Sequence, residues 1–282
     1  MSETVRKAAI TGHPVAHSRS PLVHGYWLKK HNISGSYGRV DVPPEGAEDF
    51  YRNFARYGLN GANVTVPHKE VAAAACEWLD EAARAMVAVN TLWLDETGRL
   101  CGANTDGLGF LGNLDQLAPG WDVSRESAVV LGAGGAARAV VWALLSRKFT
   151  TVHIVNRTFE KAAALVEEFG SGTKAHSWDK LGTVLGEAQL LVNTTALGMT
   201  GKAPLEIDLA PLPDTALVTD IVYAPLETDL LKQAANRGHQ TVDGLGMLLH
   251  QAVPGFERWF GVRPEVDDAL RSLVLEDLGV TA

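Results

Sequence analysis

The segment that most constrains this chain runs from Ser127 to Val155. An unbroken apolar run, Ser127–Leu131, is followed by Gly132-Ala133-Gly134-Gly135-Ala136-Ala137, a helix-length Arg138–Arg147 and a second apolar run, Thr151–Val155. Two strands apolar on both faces, joined through a small-residue turn and a helix, make one βαβ unit of a parallel sheet. Gly132, Gly134 and Ala137 hold a Gly-x-Gly-x-x-Ala spacing. That spacing lets the backbone approach a pyrophosphate and points free amides and a helix dipole at it, so the loop is expected to bind a dinucleotide. An NAD site usually places an acid about 20 residues on, against the ribose hydroxyls. Here Asn156-Arg157-Thr158 ends the second strand. A guanidinium flanked by amide and hydroxyl donors suits a 2′-phosphate, so NADP is the expected cofactor. The purely structural alternative makes Arg157 a solvated cation and Thr158 the N-cap of a helix through Glu168.

The same alternation of strand-like and helix-like segments extends in both directions. Upstream, Lys7–Gly12, Ser36–Val42 and Leu59–Val64 read as strands, Ser20–His31 and Glu45–Tyr57 as helices, and Pro67 as the start of another helix. Val87–Leu94 and Arg99–Ala103, joined by Asp95-Glu96-Thr97-Gly98, form a hairpin, so this first sheet is expected to be mixed. Downstream, Gln189–Asn193, Leu217–Asp220 and His239–Val242 would complete a second, parallel sheet, and Met247–Phe260 and Pro264–Leu275 would be helices. At 282 residues the chain exceeds the usual size of one core. The expected organisation is α/β: a mixed-sheet domain over 1–106 and 244–282, with the C-terminal helices returning to it, and a Rossmann-type domain over 107–243.

Composition narrows the function. With 25 Lys and Arg against 33 Asp and Glu the formal net charge is −8, which disfavours nucleic-acid and anionic-membrane surfaces but not a small anionic substrate. Cys76 and Cys101 show no metal or disulfide-scaffold spacing and are expected as reduced thiols in a cytoplasmic protein. Met1–Ile10 lacks the apolar core of an export signal, and no long apolar run suggests a membrane span. His13 and His17 flank Pro14 in a loop, no His-Glu-x-x-His occurs, and no metal is expected.

Four polar segments fall at strand ends, where α/β sheets gather ligands: His17-Ser18-Arg19-Ser20-Pro21, Asn63-Val64-Thr65-Val66-Pro67-His68-Lys69, Asn90-Thr91 and Asn104-Thr105-Asp106. Ser20 before Pro21 reads as an N-cap, so hydroxyls and free amides would meet a carboxylate at a helix start. Taken alone, Lys69 is a solvated helix cation, Asp106 another cap, and Asn63 and Asn90 are strand-end backbone partners.

Together these segments resemble the shikimate dehydrogenases. The Ser-x-Ser-Pro, Asn-Val-Thr-x-Pro-x-Lys and Asn-Thr-Asp motifs occur in order, followed by the glycine loop, Asn156-Arg157-Thr158, Asp220-Ile221-Val222-Tyr223-Ala224-Pro225 and the helix around Gln251. The resemblance covers nearly the whole chain. It implies NADPH-dependent reduction of 3-dehydroshikimate to shikimate, on the way to chorismate and the aromatic amino acids. It also implies that Ser18 and Ser20 bind the substrate carboxylate and that Lys69 and Asp106 are the catalytic dyad. Reducing a ketone needs one positioned proton donor, which a lysine oriented by a carboxylate can provide. By the same resemblance Asn63, Thr65, Asn90, Asp106 and Gln251 surround the ring hydroxyls, with Tyr223 near the substrate. Thr194, Ala196, Ile221, Gly244 and Met247 would join the glycine loop around the cofactor, although Gly244 also reads as a turn glycine and Met247 as a core methionine. Ala196 stands where the family usually has Ser or Pro, and Gly25 follows His24 where Asn is usual. Two other functions remain: an NAD-preferring quinate/shikimate dehydrogenase, against which Arg157 and the paired serines speak, and a catalytically silent NADP-binding regulator, against which Lys69 and Asp106 speak. Monomer and homodimer are equally compatible with the sequence.

Overall fold

The computed structural model describes residues 5–280 and divides them into two units, one made of the residues up to Thr105 with those from Leu249 onward, the other of Asp106–Leu248. The first begins with β1 (Arg6–Gly12), α1 (Ser20–Lys30), β2 (Gly35–Asp41), α2 (Ala47–Arg52), β3 (Gly61–Val64) and α3 (Lys69–Ala75). It continues with β4 (Trp78–Leu79), α4 (Glu81–Met86), β5 (Thr91–Leu94) and β6 (Leu100–Ala103). Its sheet has the order β2-β1-β3-β5-β6-β4. β1 is parallel to β2 and β3, whereas β5 is antiparallel to both β3 and β6, so the sheet is mixed. An antiparallel neighbour sets the start of one strand beside the end of the next. Asn90, just ahead of β5, therefore meets the end of β3, where Val64 N–H donates to its carbonyl at 2.8 Å, and the end of β6, where its own N–H donates to Ala103 O at 3.0 Å.

Three expectations about this unit are corrected. The helix expected over Glu45–Tyr57 is broken into a 3-10 turn at Pro44–Gly46, α2, and a second 3-10 turn at Phe54–Tyr57. The break falls where the Asn53 amide turns back onto the carbonyl and carboxylate of Asp49, a local bond that competes with the helix. The helix expected from Pro67 starts at Lys69, because Thr65–His68 closes a turn, His68 N–H to Thr65 O at 3.1 Å. The strand expected from Val87 starts at Thr91; Val87 instead ends α4 in the left-handed region at φ 49°, a helix capped at its start by the Asp80 carboxylate on Ala83 N–H at 2.7 Å, and residues 87–90 link that helix to β5.

The second unit comprises α5 (Asp106–Leu117), β7 (Ser127–Leu131), α6 (Gly135–Ser146), β8 (Thr151–Asn156), α7 (Phe159–Phe169) and β9 (Thr173–Ser177). Then follow α8 (Leu181–Leu185), β10 (Leu190–Asn193), β11 (Leu217–Asp220), α9 (Asp229–Asn236), β12 (Thr241–Val242) and α10 (Leu245–His250), whose last residues pass into the first unit. All its strand pairs are parallel, in the order β9-β8-β7-β10-β11-β12. The order reverses between β7 and β10, the position at which doubly wound sheets open a crevice beyond their strand ends. Separate apolar clusters cover the two faces, one including Ala128, Val130 and Ile154 with α5, α6 and α7, the other including Val129, Leu131 and Leu191 with α8 and α9.

The chain ends with α11 (Val253–Phe260) and α12 (Asp268–Asp277). A single helix over Met247–Phe260 is thus replaced by α10 and α11. Pro254, second in α11, would strike the carbonyl of His250 in a continuous helix, so the helix restarts. The helix expected from Pro264 begins instead at Asp268, where the Asp267 carboxylate accepts from Leu270 N–H at 2.8 Å. In α11, Trp259 donates its indole N–H to Leu92 O at 2.9 Å and fills the space before Gly61, whose absent Cβ would lie 1.9 Å from that nitrogen. No helix among the described residues is long and apolar enough to cross a membrane.

Candidate active site

In the first unit the polar residues at the strand ends bond to one another rather than to bulk secondary structure. Ser20 is the first residue of α1 and does not cap it; no side chain does. The expected cap is displaced because the Ser18 hydroxyl takes that task partway, accepting from Ser20 N–H at 3.3 Å and donating to the Ser20 hydroxyl at 3.2 Å. Both serine hydroxyls therefore sit at the start of α1, where Ser18 takes the Ser20 N–H, Pro21 has none, and Leu22 N–H turns back to Arg19 O at 2.9 Å. The Ser20 hydroxyl continues to Tyr37, whose phenol donates to Asn63 Oδ1 at 2.7 Å. Burial pushes the Tyr37 phenol well above its ordinary pKa, so it stays a donor.

Asn63, buried in β3, sends Nδ2 to the Asn90 carbonyl at 3.1 Å. Asn90 Oδ1 accepts from Thr105 N–H and from the Thr91 hydroxyl, each at 2.9 Å, and lies 3.0 Å from the Thr105 hydroxyl oxygen. The Thr105 hydroxyl gives its one proton to Gln251 O at 2.7 Å, and Asn90 Nδ2 approaches Gln251 Oε1 at 3.5 Å. Lys69 opens α3 half-buried, with its carbonyl accepting from Val89 N–H at 3.0 Å, next door to Asn90. Thr65 N–H is held by Thr11 O at 2.9 Å. Of the expected substrate residues, Ser18, Ser20, Asn63, Thr65, Lys69, Asn90 and Gln251 thus belong to the first unit, while Asp106 opens α5 and Tyr223 follows β11 in the second. Two participants were not expected from sequence, Tyr37 and His24. Ser20 and His24 stand four apart on α1 and so share a face, the one signal that pointed there.

In the second unit a pocket of about 220 Å³ is lined by Gly132, Ala133, Gly134, Asn156, Arg157, Trp178, Thr194, Thr195 and Leu197. Except for Trp178, which follows β9, these residues end or follow β7, β8 and β10, so the pocket lies at the reversal of strand order. Gly134 caps α6 without a side chain, which leaves the amides of Gly135, Ala136 and Ala137 as first-turn donors. A Cβ at Gly134 or Gly135 would meet nothing within 4 Å, whereas at Gly132, with φ 106°, it would lie 2.8 Å from the Thr194 hydroxyl. The loop is therefore open in front and packed behind, as an approaching pyrophosphate requires. No acidic side chain lines the pocket, and Arg157 is exposed on its rim. These features fit NADP. Thr158 holds the N-cap position of α7 but its hydroxyl makes no cap bond; the Asn156 amide takes the Thr158 carbonyl at 2.8 Å. Thr195 and Leu197 join the pocket from the same loop as Thr194, and Trp178 joins it without having been expected there.

Two loops beyond the pocket are tied by Asp220. Its Oδ1 accepts from Asn193 Nδ2 at 2.9 Å and Val222 N–H at 3.0 Å, and its Oδ2 from the Thr228 hydroxyl at 2.8 Å. Burial raises its pKa, opposed by these three donors. Tyr223 lies in the tied segment, half-buried, and Ala196 is exposed. Ile221 and Met247 pack partly buried against the apolar cluster that includes Val130, as the core alternative for Met247 required. Gly244 has no room for a side chain, since a Cβ would lie 2.3 Å from Ile221 O.

A doubly wound parallel sheet with a glycine loop and an unopposed arginine at its crevice defines a dinucleotide-binding unit of the oxidoreductase kind. Comparison with known proteins narrows the class. Residues 10–92 match the shikimate dehydrogenase substrate binding domain, 115–200 the shikimate / quinate 5-dehydrogenase family, and 244–273 the shikimate 5'-dehydrogenase C-terminal domain. The chain is 58% identical to the shikimate dehydrogenase (NADP(+)) of Azorhizobium caulinodans over 97% of both chains. Among solved structures it is similar to the Thermus thermophilus shikimate 5-dehydrogenase in complex with NADP(H) and shikimate, at 36% identity and a TM-score of 0.83 over 95% of this chain and 100% of that one. It is also similar to the Corynebacterium glutamicum quinate dehydrogenase in complex with NAD, at 29% identity and a TM-score of 0.88 over 96% and 99%. The chain belongs to the shikimate dehydrogenase family.

Proposed function

We propose that this protein catalyses the reversible NADPH-dependent reduction of 3-dehydroshikimate to shikimate, in the cytoplasm, toward chorismate and the aromatic amino acids. Residues 1–106 and 244–282 are assigned to the substrate and 107–243 to the nucleotide. The observation that carries the assignment is the convergence of Ser18, Ser20, Asn63, Asn90 and Gln251 on one network, with the Lys69 backbone anchored beside it and Asp106 the residue after Thr105. It is supported by 58% identity to NADP(+)-dependent relatives along nearly the whole chain.

Ser18 and Ser20 turn their hydroxyls to the substrate carboxylate at the positive end of α1. Asn63, Thr65, Asn90 and Gln251 address the ring hydroxyls; a site of paired amides strongly rejects analogues that lack one, because its own polar groups are left unsatisfied. Arg157, with Asn156 and Thr158, holds the 2′-phosphate, and the first-turn amides of α6 hold the pyrophosphate. Bound NADPH supplies the hydride. Lys69 gives the proton to the oxygen of the reduced carbonyl and takes it back in the reverse direction, and Asp106 orients its ammonium.

The test is nicotinamide absorbance with shikimate and quinate crossed against NADP⁺ and NAD⁺. Reduction of NADP⁺ with shikimate should exceed the other three combinations. Faster reduction of NAD⁺ with quinate would move the protein to the quinate enzymes, and silence in all four would leave a nucleotide-binding regulator.

A further inference from the structure

His24 is wholly buried on α1, boxed by Tyr37, stacked at 4.0 Å between ring centroids, and by Phe256 and Trp259 at 5.9 and 5.4 Å. Burial drives its pKa down to about 3, so the ring is neutral wherever the protein is folded at ordinary pH. Its Nε2 lies 3.2 Å from Asn63 Oδ1, and its Nδ1 has no partner.

One backbone group decides every proton in this cluster. The Asn90 carbonyl can only accept, so the Asn63 atom 3.1 Å away must be the amide nitrogen. Asn63 Oδ1 then faces Tyr37 and His24, and both must donate to it, which fixes His24 as the Nε2–H tautomer and explains the idle Nδ1. With its oxygen taken by two buried donors, Asn63 keeps one N–H for the carbonyl of Asn90 and another that reaches toward Thr91 Oγ1 only at 3.5 Å.

We infer that Tyr37 and His24 are positioning residues that clamp the Asn63 amide with its oxygen inward, so that the polyol site meets Asn63 as a hydrogen-bond donor only. The pair touches no reacting atom. A substrate oxygen at this position is accepted for its lone pair, and an amide free to turn would blur that choice. Tyr37 also bonds to Ser20, so one phenol ties the carboxylate end of the site to the hydroxyl end.

This inference rests on the proposed role of Asn63 as a substrate ligand, and a double-mutant cycle separates the two. Asn63→Ala, Tyr37→Phe and the pair of changes together are assayed for kcat/KM with shikimate, and the KM for NADP⁺ reports an intact fold. Asn63→Ala should cost about 10–100-fold and Tyr37→Phe about 5–20-fold, chiefly in KM for shikimate, as expected for a lost or loosened hydrogen bond. If Tyr37 acts through Asn63, the double variant loses no more than Asn63→Ala alone. Multiplying losses would overturn the clamp while leaving Asn63 a ligand. An Asn63→Ala enzyme with unchanged KM for shikimate would overturn both roles, without touching the reaction assigned through Lys69. His24→Phe, which keeps the stacking and removes the N–H, should repeat the Tyr37→Phe result more weakly; no change there would exclude His24 from the clamp.

Discussion

In the first unit the candidate site is made of side chains held by other groups of the same network: Asn90 Oδ1 receives two donors, and so does Asn63 Oδ1. In the second unit the pocket is floored by glycine backbone and helix-start amides, with Arg157 as an exposed addition at the rim. A side-chain network discriminates finely, since each amide has a fixed sense, but it fails as a whole when one member is lost. A backbone cradle tolerates substitution around it and lets a rim residue set selectivity. Proposed substrate recognition thus sits in the first unit and proposed nucleotide choice in the second.

The largest effect that would break this division is expected at Lys69. Lys69→Ala should lower turnover with shikimate and NADP⁺ by ~10²–10⁴-fold, the scale of a lost acid/base, while titration with NADP⁺ shows an unaltered dissociation constant. Normal turnover would remove Lys69 from the chemistry. Next comes Arg157→Ala, which should reduce the preference for NADP⁺ over NAD⁺, measured as the ratio of kcat/KM values, by about 10–100-fold through loss of charge-assisted bonds. Equal losses with both nucleotides would mean that Arg157 supports the loop rather than reading the phosphate.

The smallest effect sharpens the comparison through pH. Each unit holds histidine out of full contact with water: buried His24 in the first, and in the second buried His153 beside half-buried His176, with Nδ1 of His153 3.0 Å from Nε2 of His176. Burial lowers all three pKa values, aided for His153 by His176 and for both by Lys174. A depressed folded pKa means the unfolded chain binds protons first, so this stability is complete above about pH 6.5 and is lost as pH falls toward the folded values. Thermal melts from pH 8 to 5 should show a falling Tm, and His176→Gln should flatten the fall without abolishing it, since His24 still contributes. A pH-independent Tm in the wild-type protein would contradict the burial of these rings.

What the sequence made legible follows the same divide. The Gly132–Ala137 loop, the parallel strands of the second unit and Arg157 could be read because a backbone cradle writes itself in glycine spacing and uninterrupted apolar runs. β9, Thr173–Ser177, escaped because Thr-Lys-Ala-His-Ser has neither an apolar run nor a clean alternation; it is recruited as an edge by pairing with β8. In the first unit the motifs located Ser18, Asn63 and Asn90, but not what orients them. The sense of the Asn63 amide depends on a carbonyl from β5's approach and a phenol from β2, contacts that no local pattern encodes. Ser20 was misread as a cap for the same reason: propensity places a serine before a proline at a helix start, and the neighbouring Ser18 decides which hydroxyl serves the backbone.

Trp259 gives the molecule an order of maturation. The sheet it covers is synthesised before it, with the whole of the uninterrupted second unit between them. A nascent chain that has reached Leu248 carries every residue of the second unit, yet its first unit still lacks the indole that fills the space before Gly61 and two of the rings that box in His24. Domains fold as units while the chain is made. The proposed nucleotide pocket can therefore assemble before the aromatic box around His24 is closed, and helices made after the second unit complete a site whose other residues precede it.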